Sequence, residues 1–513
     1  MLQRSFPRIL SAVTPKGISL NASTINENVK SAKYAVRGAV LNRSMELQSK
    51  MTAGEKLPFD TFVPCNIGNP HACLQLPLSF HREVLALCMS PALAIDHPNL
   101  FKHDVVERAK HYAAGLTGGV GAYTNSQGIP TVREEIAAFI TERDGHPARA
   151  DRIYLTNGAS EGKGVRILLT CLLRSGGKPD GLLTPIPQYP LYSASLTLLG
   201  GALVPYFLNE GASWGVEMEN LHQTLAAARA DGTEVRGIAV INPGNPTGNI
   251  LAEEQIKDII QMAVDEKLVI LADEVYQANI WKKGASFSSF KKVACDMGYM
   301  GEDGDERLQL VSFHSTSKGY FGECGLRGGY MEVHGIGAEV RAQLYKLSSL
   351  SLCSNTIGQL ATGIMVNPPK PGDPSFETFK KVCRFGAIME TILLTKHSKC
   401  ACQCSHSESL FQKVWSKNVR RWASRLDCFV RSSCRLATPQ LVLRRVTLPR
   451  SVTISFLHWR DAALWCTRPS TSWRESRAMK QMGPCTHSHE FACRTRQGRR
   501  PRPRVYLRTS TTA

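Results

Sequence analysis

The sequence predicts an α/β domain built on a mainly parallel sheet, on three observations. Short, continuous apolar runs recur at residues 153–156, 181–185, 202–207, 235–241, 268–272 and 308–313. Segments of helical length and spacing lie among them, as at 164–173 and 252–265. Runs without polar alternation suit strands buried on both faces, as in parallel sheets covered by helices. Third, chemically active turn residues follow most of the runs, and in such sheets ligands gather beyond the carboxyl ends of the strands.

Taken in order, residues 1–24 carry Arg4, Arg8 and Lys16 with several hydroxyls and no acid before Glu27. That pattern suits a mitochondrial transit peptide or a plain basic arm. Residues 32–51 have a helical pattern and lead to Phe62-Val63-Pro64-Cys65-Asn66-Ile67-Gly68-Asn69-Pro70, where Gly68 lets backbone approach a ligand closely. Residues 78–115 read as helix with proline breaks, and 118–128 as a glycine-rich loop. No strand precedes that loop, so it is not a dinucleotide fingerprint. A helix follows, with Thr131 as its cap, Glu134 at the third position and Ile136, Phe139 and Ile140 as its apolar stripe.

The strand–turn–helix order at 153–173 places the amides of Gly158, Ala159 and Ser160 at a helix N-terminus, a ready anion site. Beyond 181–185 stands Pro187-Gln188-Tyr189-Pro190-Leu191-Tyr192, and Tyr189 offers a flat face for stacking. Asn242-Pro243-Gly244-Asn245-Pro246-Thr247-Gly248 follows the run at 235–241, and Asp273-Glu274-Val275-Tyr276 follows 268–272. The last run delivers His314-Ser315-Thr316-Ser317-Lys318-Gly319, with Arg327 nine residues past the lysine.

A lysine flanked by hydroxyls can condense with an aldehyde, while Ser315, Ser317 and Arg327 can hold a phosphate on the same molecule. Pyridoxal phosphate has both groups. Its ring nitrogen stays protonated only beside a buried carboxylate, for which Asp273 is the candidate. Tyr276 and Asn245 can contact the ring hydroxyl oxygen. Ala159, Ser160, Ser315 and Arg327 can take the phosphate, and Lys318, once displaced by substrate, is tethered to act as general base. Each residue also has an ordinary reading: Asp273 as a cap, Tyr189 and Tyr276 as core, Asn245 as a turn former, Arg327 as a surface cation. Five such coincidences at successive strand ends weigh against the ordinary readings taken together.

A chain of 513 residues allows two or three domains. No apolar run reaches the roughly eighteen residues of a membrane span. The net charge of +19 comes wholly from residues 383–513, with 25 Lys+Arg against 6 Asp+Glu; the rest balances at 37 of each. Nine of the 16 cysteines also lie there. Cys400, Cys402 and Cys404, near His397 and His406, lack the paired spacing of structural zinc sites, so no metal is expected. Past Lys381 no sustained period survives beyond scraps such as Val442-Leu443 and residues 453–457, and no fold is expected. The stretch 499–504 reads either as a basic, nucleic-acid-contacting segment or, like the rest of the tail, as the product of a shifted reading frame. Nucleic-acid binding driven by this tail would fall steeply with salt and vanish on deleting 383–513. The electrically neutral remainder, without an aromatic–basic platform, argues against such a partner.

Asn-Pro-Gly-Asn-Pro-Thr-Gly (242–248), Ala-Asp-Glu-Val-Tyr (272–276) and Ser-Thr-Ser-Lys-Gly (315–319) resemble the fold-type I, class I/II aminotransferases. Tyr-Thr-Asn-Ser-Gln-Gly-Ile (123–129), Thr-Asn-Gly-Ala-Ser (156–160), the run at 314–330 and Asn-Pro-Pro-Lys-Pro-Gly-Asp-Pro-Ser (367–375) are similar, more narrowly, to the alanine aminotransferases. The likeness covers roughly residues 30–381. It implies pyridoxal phosphate on Lys318 and a homodimer in which Tyr123 reaches the neighbouring subunit's phosphate. It also implies Gly68 and Asn245 at the substrate, and reversible amino transfer from L-alanine to 2-oxoglutarate, giving pyruvate and L-glutamate. The compartment would be cytoplasm or mitochondrial matrix. The implied organisation is an extension (1–30), an arm with part of a small domain (31–80), a cofactor-binding large domain (81–366), the start of the small domain (367–381) and the aberrant tail (382–513). The family's C-terminal arginine, which clamps the substrate carboxylate, finds no counterpart past Lys381. A different aminotransferase, or a lyase resembling aminocyclopropane-carboxylate synthase, is the rival within the fold, and a substrate panel separates them.

Overall fold

The computed structural model describes residues 19–34, 38–59, 62, 68–71, 75–160, 164–280, 282–300 and 307–383, and two strands beyond them. The leader residues Arg4, Arg8 and Lys16, residues 63–67 and the tail cysteines and histidines named above lie outside the described residues.

Eight strands form one sheet: β1 (Ile153–Thr156), β2 (Asp180–Ile186), β3 (Ala202–Asn209), β4 (Gly215–Val216), β5 (Glu234–Ile241), β6 (Val269–Asp273), β7 (Leu310–Ser315) and β8 (Gly329–His334). Their order is β1-β8-β7-β6-β5-β2-β3-β4. The pairs β3–β2, β2–β5, β5–β6 and β6–β7 are parallel, and β4 and β8 run against their neighbours. All six expected strands are present, although the last starts two residues late and continues through Ser315.

Strand alternation explains how both faces become buried. Val269 and Leu271 of β6 pack with Ala239, Leu168 and Tyr192 on one side. Ile270 and Ala272 pack with Val240, Ile259 and Phe290 on the other. Helices Val165–Leu172, Leu191–Leu199 and Ala338–Leu350 cover the first face; Met218–Ala230, Glu253–Asp265 and Phe290–Asp296 cover the second. A third cluster joins helices Ser79–Met89, His103–Ala114, Pro130–Asp144 and Thr356–Val366 at the β1 end.

Two strands have no counterpart in the sequence reading. β4 has only two residues. In β8 Glu332 breaks the apolar run, yet it is buried beside Lys291 Nζ at 2.9 Å and His334 Nε2 at 3.0 Å. Burial alone would push its carboxyl up, but His334 and Lys291 hold it down to about 2. A local window cannot see that the partner cation lies 41 residues away.

Other boundaries moved for local reasons. The helix expected over 32–51 is observed only from Ala39 to Thr52, entered from an extended Gly38, and a separate short helix, Glu27–Ser31, precedes it. The cap expected at Thr131 is instead Ile129, which makes no side-chain capping bond. Pro130 takes the first helical position, where a missing N–H leaves nothing unsatisfied. In the tail, for which no fold is expected, β9 (Leu443–Leu448) and β10 (Val452–Leu457) pair antiparallel with Val452 opposite Leu448.

His81 is fully buried among Phe80, Phe321 and Phe379, and neither ring nitrogen has a hydrogen-bond partner. Burial, assisted by Arg108, pushes it down to about 3. Between that value and the ordinary histidine range the unfolded chain therefore holds one more proton, so this group costs stability as pH falls. Replacing His81 by Leu is expected to remove the linkage. Denaturant unfolding from pH 6.5 to 3.5 should show wild type losing stability relative to the variant by about 1.4 kcal/mol per pH unit. Parallel curves would refute it.

Candidate active site

β8 runs antiparallel to β7, and β1 antiparallel to β8, so β1 points the same way as β7. The carboxyl ends of β1, β2, β5, β6 and β7 consequently share one edge. β8 starts at that edge, with Gly329 opposite both Ser315 and Thr156. Arg327, two residues upstream, is thereby delivered beside the turn that follows β1.

At the centre, Lys318 Nζ donates to the Gly68 carbonyl at 2.9 Å and stands 5.4 Å from the centroid of the Tyr276 ring. A Cβ on Gly68 would lie 2.8 Å from that nitrogen, so a side chain there would make the lysine shift. Burial lowers the affinity of Lys318 for its proton, while Cys324 and Asp273 act the other way. A readily neutralised amine is what attack on a carbonyl requires.

Asp273 ends β6 on the face occupied by Tyr192, whose hydroxyl donates to Oδ2 at 3.2 Å. Its Oδ1 is buried with no hydrogen-bond partner. Burial pushes this carboxyl up to about 6, against the Val275 backbone, the Tyr192 hydroxyl and the Lys318 charge, which pull it down. A buried, unpartnered carboxylate oxygen calls for a cationic donor.

Asn245 Nδ2 donates to the Tyr276 hydroxyl at 3.3 Å, so these two act at one point. Burial, then Asp273, makes the Tyr276 hydroxyl harder to ionise. Tyr189 is half-buried and shares a 2.6 Å hydrogen bond with the Tyr34 hydroxyl.

Arg327 sits at φ +52° and donates through Nη2 to the Asn157 carbonyl at 2.8 Å and through Nη1 to the Cys324 carbonyl at 3.2 Å. Gly158, at φ +89°, makes room for it: a Cβ there would stand 2.7 Å from Nη2. Ser315 is buried, and its hydroxyl accepts from the Ser317 amide at 3.4 Å. The helix behind the β1 turn begins at Val165, capped by Gly164, so Gly158, Ala159 and Ser160 occupy the turn ahead of it rather than its first turn. An anion held there would meet the turn and Arg327 rather than the helix end.

The sheet edge brings Lys318, Asp273, Tyr276, Asn245 and Gly68 together by direct or shared contacts, and Arg327 with Gly158. Tyr123 does not join them through any contact of this chain; it is 79% exposed on the glycine-rich loop. Sequence reasoning gave no role to Tyr192, Cys324 or Asn279. Tyr192 holds Asp273, Cys324 Sγ lies 3.1 Å from the Ser317 carbonyl, and Asn279 Oδ1 accepts from the Gly319 amide at 2.8 Å. All three flank motifs that were legible, and proximity to those motifs was the available signal.

The donor set fits pyridoxal phosphate on the strength of Asp273: its orphaned oxygen suits a protonated ring nitrogen. Lys318 would hold the aldehyde carbon, and Arg327 with the 158–160 turn and Ser315 would hold the phosphate.

Comparison with known proteins places the chain. Glutamate–glyoxylate aminotransferase 1 of Arabidopsis thaliana is 49% identical over 377 residues, covering 73% of this chain and 75% of that protein. Alanine aminotransferase 2 of Panicum miliaceum is 49% identical over 360 residues, covering 69% and 73%. The crystal structure of an aminotransferase from Escherichia coli superposes with a TM-score of 0.51 at 25% identity, over 67% of this chain and 72% of that one. Residues 93–381 match the model of one family, and the match stops where the sequence changes character. This chain belongs to the aminotransferase class I and II family.

Proposed function

We propose that this chain binds pyridoxal phosphate at the sheet edge and transfers an amino group reversibly from L-alanine to 2-oxoglutarate, giving pyruvate and L-glutamate. The observation that carries the reading is a Lys318 amine and an Asp273 carboxyl near enough to act on each other's charge, with Asp273 Oδ1 left unpartnered. Bound there, the cofactor supplies an electron-accepting ring that makes the α-proton of an amino acid acidic. The protein's part is binding and proton management. Asp273 holds a proton at the ring nitrogen, Tyr276 and Asn245 fix the ring hydroxyl oxygen, and Tyr189 stacks. Arg327, the 158–160 turn and Ser315 anchor the phosphate. Lys318 Nζ, released by substrate, moves the α-proton, and its burial, which lowers its affinity for a proton, favours the neutral amine a base needs.

The organisation proposed is an extension (1–30), an arm and part of a small domain (31–80), a large domain (81–366), the start of the small domain (367–381) and the tail (382–513). A homodimer would bring the exposed Tyr123 to the partner's phosphate. Residues beyond Lys381 supply no recognisable arginine for the substrate carboxylate, so cofactor binding should survive while turnover is slow. Leaving the carboxylate without its bidentate partner costs roughly 2–5 kcal/mol, about 30- to several-thousand-fold in kcat/KM. Equal likeness to a glutamate–glyoxylate and an alanine aminotransferase leaves the acceptor as the point to assay.

The test is the purified chain with pyridoxal phosphate, with pyruvate formation from L-alanine followed against 2-oxoglutarate and glyoxylate. A visible absorbance band abolished by borohydride, with weak pyruvate formation, is expected. Absence of the band would end the cofactor reading, and rapid turnover would end the claim of a missing clamp. Among the described residues no helix is long and apolar enough to cross a membrane.

A further inference from the structure

Glu274 follows Asp273 directly, but the alternation of β6 sends it to the other face of the sheet. It is 1% exposed. Its Oε1 accepts from the amide of Phe290, the first residue of the helix Phe290–Asp296, at 2.8 Å. Its own amide donates to the Phe313 carbonyl of β7 at 3.1 Å, and its carbonyl accepts from the Gln277 amide and Nε2, both at 3.1 Å. Gln277 Oε1 accepts from Arg143 Nη1 at 2.9 Å, and Arg143 forms two 2.7 Å bonds with Asp144. Asp144 Oδ1 accepts from Ser289 Oγ at 2.9 Å, and the same hydroxyl caps the helix by accepting from the Lys292 amide at 2.9 Å. The circuit closes on itself. It ties the turn Asp273–Gln277 to two helices through groups that are all buried or nearly so.

We propose that Glu274 is a positioning residue, the hub of a closed hydrogen-bonded circuit through Gln277, Arg143, Asp144 and Ser289 that fixes where the Asp273 carboxylate and the Tyr276 hydroxyl stand. The inference rests on the reading of Asp273 and Tyr276 as cofactor-holding groups. Only two residues, Glu274 and Val275, separate the two, and a small rotation there would move both at once. The grip extends to the lysine: Asn279 donates from its amide to the Tyr276 carbonyl at 2.7 Å and accepts from the Gly319 amide at 2.8 Å. Charged and titratable groups face Glu274 from each packed element: Arg143 and Asp144 on the helix Pro130–Asp144, Lys291 on the helix Phe290–Asp296, and Tyr330 and Glu332 on β8. Burial pushes its carboxyl up to about 8, against the pull of Arg143. At neutral pH a glutamine therefore matches it in charge as well as shape.

The apo chain is titrated with pyridoxal phosphate at pH 7, well below its unfolding temperature. Glu274→Ala is expected to weaken cofactor affinity on the order of tenfold, because the Phe290 amide is left buried without an acceptor. Glu274→Gln should retain affinity within about twofold, since its carbonyl still accepts from that amide. Gln277→Ala, which opens the circuit from the other side, should weaken binding about threefold and covers the case in which Glu274→Ala does not fold. A purely structural role would lower the denaturation midpoint of these variants yet leave affinity at wild-type level, and that result overturns the proposal. Failure of the wild-type chain to bind the cofactor would instead overturn the reading beneath it.

Discussion

Lys318→Ala is expected to lower alanine-dependent pyruvate formation by about 10²–10⁴-fold, the range associated with loss of a positioned acid–base group. The side chain stands where no neighbour can replace it. Its nitrogen is held by the Gly68 carbonyl and faced by the Tyr276 ring. Tyr276, whose hydroxyl burial and Asp273 make harder to ionise, cannot take over as base near neutral pH. The thiol of Cys324 is likewise raised, by burial first, and so remains protonated there. Mass spectrometry after borohydride supplies a second readout independent of turnover. The wild-type chain should gain the mass of the reduced cofactor on the peptide containing Lys318, and the variant should not. An unchanged rate, or cofactor mass on a different lysine, would remove Lys318 from the centre of the site.

The parallel core of the fold was legible because its strands are continuous apolar runs, and a run buried on both faces needs no partner information to be seen. β8 was not legible, because Glu332 is stabilised by Lys291, a residue on a helix that meets it only after folding. That omission matters to the site. Without β8 the sequence offers Arg327 as a phosphate holder but not what sets it against the turn it would act with. With β8 antiparallel to both neighbours, the same arginine is set against Gly158 and the Asn157 carbonyl. Residues fixed by local motifs, such as Lys318 and Asp273, were named correctly as members of one edge. Contacts recruited from other elements were not legible: Tyr192 reaches Asp273 across 81 positions of chain, and Gly68, expected at the substrate, meets Lys318 across 250. Gly68 was flagged as a place of close backbone approach, but the amine that approaches it could not be inferred from a glycine beside Asn-Pro.

Asp273→Asn should lower both cofactor affinity and turnover, by about 3–5 kcal/mol in total, because it removes the charge opposite a buried cation while keeping the size and the hydrogen bond to Tyr192. The pH dependence separates this from a packing defect. In the wild-type apo chain burial holds the carboxyl up at about 6, so it is ionised above that pH and neutral below it. A ring-nitrogen cation is favoured only by the ionised form. Wild-type affinity for pyridoxal phosphate should therefore fall as pH drops through about 6 toward 5. Titration of the cofactor phosphate contributes to the same limb, but it contributes equally in the variant. Fluorescence titrations of both apo chains from pH 5 to 8 isolate the carboxylate as the difference between the curves. That difference should be largest at pH 8 and shrink as acid neutralises Asp273 in the wild type. A constant offset across the range would mean that Asp273 shapes the site without lending it charge. In that case its orphaned oxygen would have to meet a neutral donor, and the assignment of the ring nitrogen would fall with it.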